Sequence, residues 1–278
     1  MWWNKDYVAD GAGWYRPSAT SYTGPGDLGI SFTFWGGFRA YSLATAGTKA
    51  IRVQATDTTQ TDINTLANGT LDKATLDAFI LAHGACKVVT IYDKVGTNDL
   101  TQGNDSLRPL VTANALNSSY GMTSVNTTPT VLAAATTITR AQPYSLVTIA
   151  NVQSGGSNPS IITVDSGFTG AGLYGNSTTN LFAFAGSNLA QAMTAGFNDF
   201  QVVFDATTTI NINGTETTGS AGTNSLSAAV LSMPGDSGGN LPFNGVIMEG
   251  GYVAGTITSP QRSSLHTNMH SVNAYGGW

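Results

Sequence analysis

The strongest constraint on what this chain can fold into is the rhythm of its apolar segments. Short alternating or continuous runs recur at close intervals, divided by Gly, Asn, Asp and Ser clusters. From Lys49 to Ala55 apolar and polar residues alternate with the period of a half-buried strand. Lys87 to Tyr92 reads as a buried central strand, and further strands are expected at 130–135, 144–151, 160–165, 180–185, 201–205, 208–213, 226–233 and 245–252. Asn68-Gly69 is a tight-turn signal, and Asn213-Gly214, flanked by alternating segments, is the strongest hairpin signal in the chain. Helical periodicity occurs only twice. One helix is expected over 73–82, capped by Asp72, stapled by Leu71 and Leu76 and stopped by Gly84. The other follows Ser259-Pro260 and places Leu265, Met269 and Val272 on one face. Many short strands with almost no helix between them mean an antiparallel sandwich or barrel. No break in composition divides 24–278, so these residues are expected to form one domain, preceded by an aromatic arm over 1–23.

Composition narrows the function classes. Only 10% of the 278 residues are charged, where about 25% is usual, and polarity resides in uncharged side chains, including 39 Thr. β-branched Thr suits a pleated surface, which agrees with the strand rhythm. A net charge of −5, with no Lys/Arg cluster, argues against nucleic-acid partners, which demand a basic surface. No apolar run is long enough to span a membrane, and Met-Trp-Trp-Asn-Lys-Asp lacks the apolar stretch of a signal peptide. Synthesis in a cytoplasm without membrane insertion is therefore expected, and lone Cys86 is read as a small buried hydrophobe. The arm carries Trp2, Trp3, Trp14 and Tyr15, large apolar rings that need cover from their own domain or a neighbouring subunit, which makes them assembly candidates.

Several clusters carry potential chemistry. His266 and His270 lie four apart on the C-terminal helix, a two-ligand spacing, but no third ligand is evident and no metal is expected there. Asp93, Asn98, Asp99, Asn104 and Asp105 are oxygen-rich enough to suit calcium, yet Asx turns explain them more cheaply, so no cofactor is expected. Arg52 and Asp57 are either an ion pair or two solvated charges. Gly235-Asp236-Ser237-Gly238-Gly239 reproduces the string around a protease-type serine, with His83 as the only plausible base. His83 ends an amphipathic helix, however, and a Gly/Ser/Asp turn before a strand needs no catalytic explanation.

An ordered series of segments carries a family resemblance. Phe38-Arg39-Ala40-Tyr41-Ser42, Ala50-Ile51-Arg52-Val53, Asp57, Asp62-Ile63, Asn68-Gly69-Thr70-Leu71-Asp72, Leu76, Phe79, Val88 to Asp93 and Leu100-Thr101-Gln102 together resemble the opening half of the α-L-arabinofuranosidase B catalytic domain. Gly24-Pro25-Gly26-Asp27 at the start, and Gly245 to Glu249, Ile257-Thr258-Ser259 and the 261–275 helix at the end, resemble virion proteins of tailed bacteriophages that use such a concanavalin-like or LamG-type domain. The resemblance covers about 24–110 and 236–275. It implies an all-β fold, an antiparallel concanavalin-like jelly-roll sandwich with one short internal helix and a C-terminal helix.

The resemblance places Asp236 where the arabinofuranosidases keep their acid/base. Their nucleophile, a Glu on the strand after a Thr-Gly-Ala-Gly-like segment, has no counterpart: Thr169-Gly170-Ala171-Gly172 runs into Leu173-Tyr174-Gly175. The chain's two glutamates, Glu216 and Glu249, match neither role. A retaining glycosidase needs two carboxyl groups, so the expectation is no enzyme. In its place the resemblance implies a structural virion protein, made in the bacterial host cytoplasm and displayed on capsid or tail as a decoration, fibre or adhesin. Its expected partners are other virion proteins, copies of itself in a homo-oligomer such as a trimer, and host-surface glycan. Tyr120, Tyr174, Tyr252 and Trp278 are the candidate glycan platforms. The alternative is an arabinofuranosidase-like hydrolase of host polysaccharide with Asp236 as acid/base.

Overall fold

The computed structural model describes residues 22–273 apart from 117, 126–128, 154–158, 167–170, 178 and 240, together with the backbone of a small ribbon pairing Val8–Ala9 with Trp14–Tyr15. Trp2, Trp3 and Trp278, and the side chains of Trp14 and Tyr15, lie outside the described residues.

Two antiparallel sheets make a jelly-roll sandwich. In the first, Thr215–Gly219, Thr208–Ile212, Phe197–Phe204, Tyr144–Val152 and Gly245–Val253 pair in that order. The free edge of the last strand then takes Phe34–Gly37 at one end and Ser119–Ser124 at the other. The second sheet runs Gln60–Asn64, Lys49–Ala55, Cys86–Ile91, Leu100–Thr101, Ala133–Ala134, Leu226–Ser232, Ser160–Asp165, Ala171–Ser177, Asn180–Phe184 and Asn188–Ala192. Leu110–Leu116 links the two, pairing with Ser119–Ser124 and, through Leu110, with Lys87.

The alternation read from the sequence decides which face each side chain takes. Along the strand Tyr144–Val152, Leu146, Ala150 and Val152 face the interior with Ile51, Val53, Ile162, Val164 and Leu231 of the opposite sheet. Val147 and Ile149 face outward, and there they meet Trp35, Met248, Leu265 and Met269. That outer layer exists because helix α2 (Ser259–Asn273) lies across the first sheet. Burying each such aliphatic side chain contributes about 1.5–3 kcal/mol. Helix α1 (Lys73–His83) forms as expected: Asp72 accepts the Thr75 backbone N–H at 3.1 Å, and Leu71 and Leu76 are both buried. Asn213 and Gly214 have φ of 53° and 82°, the left-handed pair that a two-residue hairpin turn requires.

Two strand boundaries differ from expectation. The segment expected over 130–135 pairs only at Ala133–Ala134. The strand expected from Gln201 begins at Phe197, because polar Asn198 and Asp199 are buried and bonded: the Asn198 carboxamide donates to the Thr194 carbonyl at 2.9 Å, and Asp199 accepts the Asn213 backbone N–H at 2.8 Å. Cys86 is buried as expected, and burial pushes its thiol pKa up.

Arg39 ties the outer layer together. Its Nε donates to Glu249 Oε2 at 2.5 Å, its Nη1 to Asn268 Oδ1 of α2 at 2.8 Å, and its guanidinium lies 5.8 Å from the Trp35 ring centroid. Both charged side chains are buried, so removing one strands the other in a low-dielectric layer. Arg39→Ala is expected to cost about 3–5 kcal/mol, read as a lower denaturation midpoint, while Arg39→Met combined with Glu249→Met recovers most of the loss. On the opposite sheet, Arg52 pairs with Asp62 at 2.7 Å, joined by Lys49 and Tyr92, which together hold the Asp62 carboxyl well below the usual carboxylate range. A depressed folded-state pKa adds stability that is complete above the unfolded value of about 3.9 and lost as pH falls through the folded one. The stability gap between wild type and Asp62→Asn is therefore expected to stay level from pH 7 to 5 and to shrink below about pH 4 in acid denaturation series.

Candidate functional site

Three adjacent segments of the second sheet converge on Asp236. The strand Leu226–Ser232 leads into the turn carrying Asp236 and Ser237, and the Gly235 N–H donates to the Ser160 carbonyl at 2.9 Å. Ser160 starts the strand Ser160–Asp165 and sits directly opposite Tyr174 on the next strand. Gly235 has a φ of 84°, and a Cβ there would meet the Thr130 carbonyl oxygen at 2.8 Å, so only glycine lets the turn approach this closely.

The result is two buried carboxylates in one region, one of them bonded by the hydroxyl of the residue that follows the other. Asp236 accepts the Leu241 N–H at 2.6 Å, and its neighbour Ser237 donates to Asp165 Oδ1 at 2.7 Å. Asp165 ends its strand, so its carboxylate reaches the same region as Asp236 from another segment. The Tyr174 hydroxyl is pushed strongly up in pKa by burial and then by the charges of Asp165 and Asp236, and is therefore a protonated donor at neutral pH. Arg140, wholly buried beside the site, has Nη2 on the Asn224 carbonyl at 3.3 Å and a second donor on that of Val164. Two carboxyl groups are the parts that acid/base and nucleophilic chemistry at a glycosidic bond require.

The other expectations resolve differently. Ser237 is bonded to Asp165, whereas His83 Nδ1 lies 2.8 Å from Asp57 at the end of α1, so the serine and histidine have separate partners and form no dyad. The same contact removes Asp57 from Arg52, which pairs with Asp62. Tyr120, Tyr174 and Tyr252 are 3%, 8% and 1% exposed. Their rings are not offered to solvent as sugar platforms: Tyr120 donates to Asp77, Tyr252 packs 6.2 Å from the Tyr144 ring, and only Tyr174 stands beside the carboxylates. In the acidic loop, Asp93 accepts the Val95 and Asn98 N–H groups at 2.9 and 3.0 Å, Asp99 accepts that of Asp93 at 2.8 Å, and Asp105 pairs with Lys87 at 2.7 Å. These are Asx-turn and ion-pair roles, with the carboxylates spent on the loop itself. The missing third partner of His266 and His270 does exist: Asp199, buried on the strand beneath α2. Nothing in the spacing of the chain foretold it, since 67 positions separate Asp199 from His266.

No family model matches the chain, and no curated protein matches it. Solved structures do. A mutant GH54 α-L-arabinofuranosidase soaked with 4-nitrophenyl α-L-arabinofuranoside matches with a TM-score of 0.72 at 18% identity, over 90% of this chain and 66% of the enzyme. An arabinofuranosidase complexed with arabinofuranosyl-α-1,2-xylobiose matches with a TM-score of 0.71 at 17% identity, over 90% of this chain and 65% of that one. The fold is the one these arabinofuranosidases use. The chain spans just under two thirds of their length. The expectation of no enzyme is thereby corrected. That expectation rests on a single carboxylate, whereas 90% of the chain shares the fold of solved arabinofuranosidases and a second buried carboxyl, Asp165, accepts a hydrogen bond from the residue that follows Asp236.

Proposed function

We propose that this protein is a glycoside hydrolase of arabinofuranosidase type, acting on polysaccharide with Asp236 as acid/base and Asp165 as its partner carboxylate. The observation that carries the reading is the Ser237 hydrogen bond to Asp165 at 2.7 Å, which brings the two acids into one buried site on a fold shared with arabinofuranosidases. In a double displacement, Asp236 protonates the leaving oxygen while an Asp165 oxygen bonds to the anomeric carbon. Asp236 then takes a proton from water as that water cleaves the glycosyl ester, which restores both groups. Ser237 orients the Asp165 carboxyl through its hydrogen bond, and the protonated Tyr174 supplies a hydrogen bond to an oxygen that gains negative charge.

Asp165 and Asp236 are 1% and 0% exposed, so a sugar must displace the groups that cover them to reach either carboxyl. The setting we propose is the surface of a tailed-phage particle, facing host polysaccharide; the resemblance over 24–110 and 236–275 supports it.

The test is release of 4-nitrophenol from the aryl α-L-arabinofuranoside, and of arabinose from arabinose-substituted xylan. Wild type is expected to turn over, and Asp236→Asn and Asp165→Asn each to lose about 10²–10⁴-fold in kcat with an unchanged melting temperature. Ser237→Ala is expected to lose about tenfold or more, the worth of one hydrogen bond to a charged group. Absence of turnover in wild type, or turnover undiminished in Asp236→Asn, overturns the reading.

A further inference from the structure

Helix α2 carries His266 and His270 one turn apart, with ring centroids 4.1 Å from each other. Both imidazoles face the same oxygen of Asp199: His266 Nδ1 is hydrogen-bonded to Oδ2, and His270 Nε2 lies 3.6 Å from it. One ligand atom from each of the three residues lies within 4.8 Å of the others. Zinc ligands at about 2.0–2.1 Å in a tetrahedron stand roughly 3.3 Å apart, so a small rotation of the His270 ring closes the set.

The carboxylate is oriented before any ion arrives. Asp199 Oδ1 accepts the backbone N–H of Asn213 at 2.8 Å, and the Asp199 N–H donates to Asn213 Oδ1 at 2.9 Å, which leaves Oδ2 directed at the helix. Such an outer partner is what holds a ligating carboxylate in register. Asp199 is wholly buried, while His266 and His270 are 26% and 20% exposed, so the cluster is closed toward the sheet and reachable from solvent. Nearby charge does not oppose a cation: Arg262, one turn before His266, is paired with Glu216 at 2.7 Å. The glycine of the Asn213-Gly214 turn backs the His266 ring, and a Cβ there would stand 3.4 Å from its Nε2.

We propose that Asp199, His266 and His270 form a divalent transition-metal site, selective for zinc-like ions, that clamps helix α2 onto the first sheet. Two imidazoles and one carboxylate leave the fourth tetrahedral position to water. An ion here displaces the proton shared between His266 and Asp199, so the hydrogen bond is replaced by two metal bonds and the helix gains a second anchor beside Arg39 and Asn268. The site lies on the outer face of the first sheet, whereas Asp165 and Asp236 belong to the second, and its occupancy is read independently of hydrolysis.

The test uses the full chain, free of any histidine tag, stripped with chelator and titrated with zinc chloride alone by calorimetry, with melting temperature and the visible spectrum of a cobalt(II) substitute as parallel readouts. The expected result is one ion per chain, a melting temperature raised by several degrees, and tetrahedral cobalt bands. His270→Gln, a half-buried helix position, is expected to keep the ion-free melting temperature and lose both the zinc shift and the cobalt bands. His266→Gln serves the same comparison should His270→Gln not fold. Failure of wild type to take up one saturating ion at 100 μM zinc (about a hundred times a micromolar Kd) overturns the proposal, as does uptake that survives both substitutions.

Discussion

Everything in this molecule hangs on the antiparallel pairing of Tyr144–Val152 with Gly245–Val253. The two strands are about a hundred residues apart in sequence, match from Ser145↔Val253 to Val152↔Gly245, and are buried along nearly their whole length. A backbone buried on both faces cannot use water for its amides and carbonyls, so it must pair on both edges. Phe197–Phe204 satisfies one edge, and Phe34–Gly37 with Ser119–Ser124 satisfies the other. The N-terminal third, the middle and the C-terminal end are thereby committed to one sheet, and the second sheet and α2 then cover its two faces.

That double cover separates the two chemically interesting places. Polar groups that survive burial need partners, and here they are gathered at two margins of the apolar layers. Under α2, Arg39, Glu249 and Asn268 form one network, and Asp199, Asn213, His266 and His270 form another. At the end of the second sheet, Asp165, Ser237, Asp236 and Tyr174 gather where a strand end, a glycine-dependent turn and a neighbouring strand meet. In a chain with so few charges, each buried carboxylate is a local commitment that depends on the donors beside it.

Sequence reasoning recovered most elements because their signals are local. Alternation, an Asp72 cap, an Asn-Gly turn and a Ser-Pro helix start each act over a few residues and do not depend on the rest of the fold. It missed Gln60–Asn64 and Asn188–Ala192, polar edge strands whose formation is due to a neighbour's free hydrogen-bonding edge, and it also missed Leu110–Leu116, Ser119–Ser124 and Ala171–Ser177. It started the strand Phe197–Phe204 four residues late, at Gln201, because Asn198 and Asp199 are polar and only packing shows them buried. For the candidate site the sequence shows Asp236 and the Ser237 turn, but not that Asp165, at the end of a different strand, bonds to Ser237. The tyrosines proposed as platforms look alike in sequence whether buried or exposed, and only packing separates them.

The sequence by itself determined an all-β chain closed by a C-terminal helix, because strand period, turn chemistry and helix caps are written in neighbouring residues. Only the tertiary structure decided which polar residues meet. Asp165 reaches the Asp236 turn, and Asp199 reaches His266 and His270, through contacts that span 67 residues or more. The physical reason is that strand pairing conserves hydrogen bonds while leaving sheet order open, and sheet order, not spacing along the chain, sets which side chains come together.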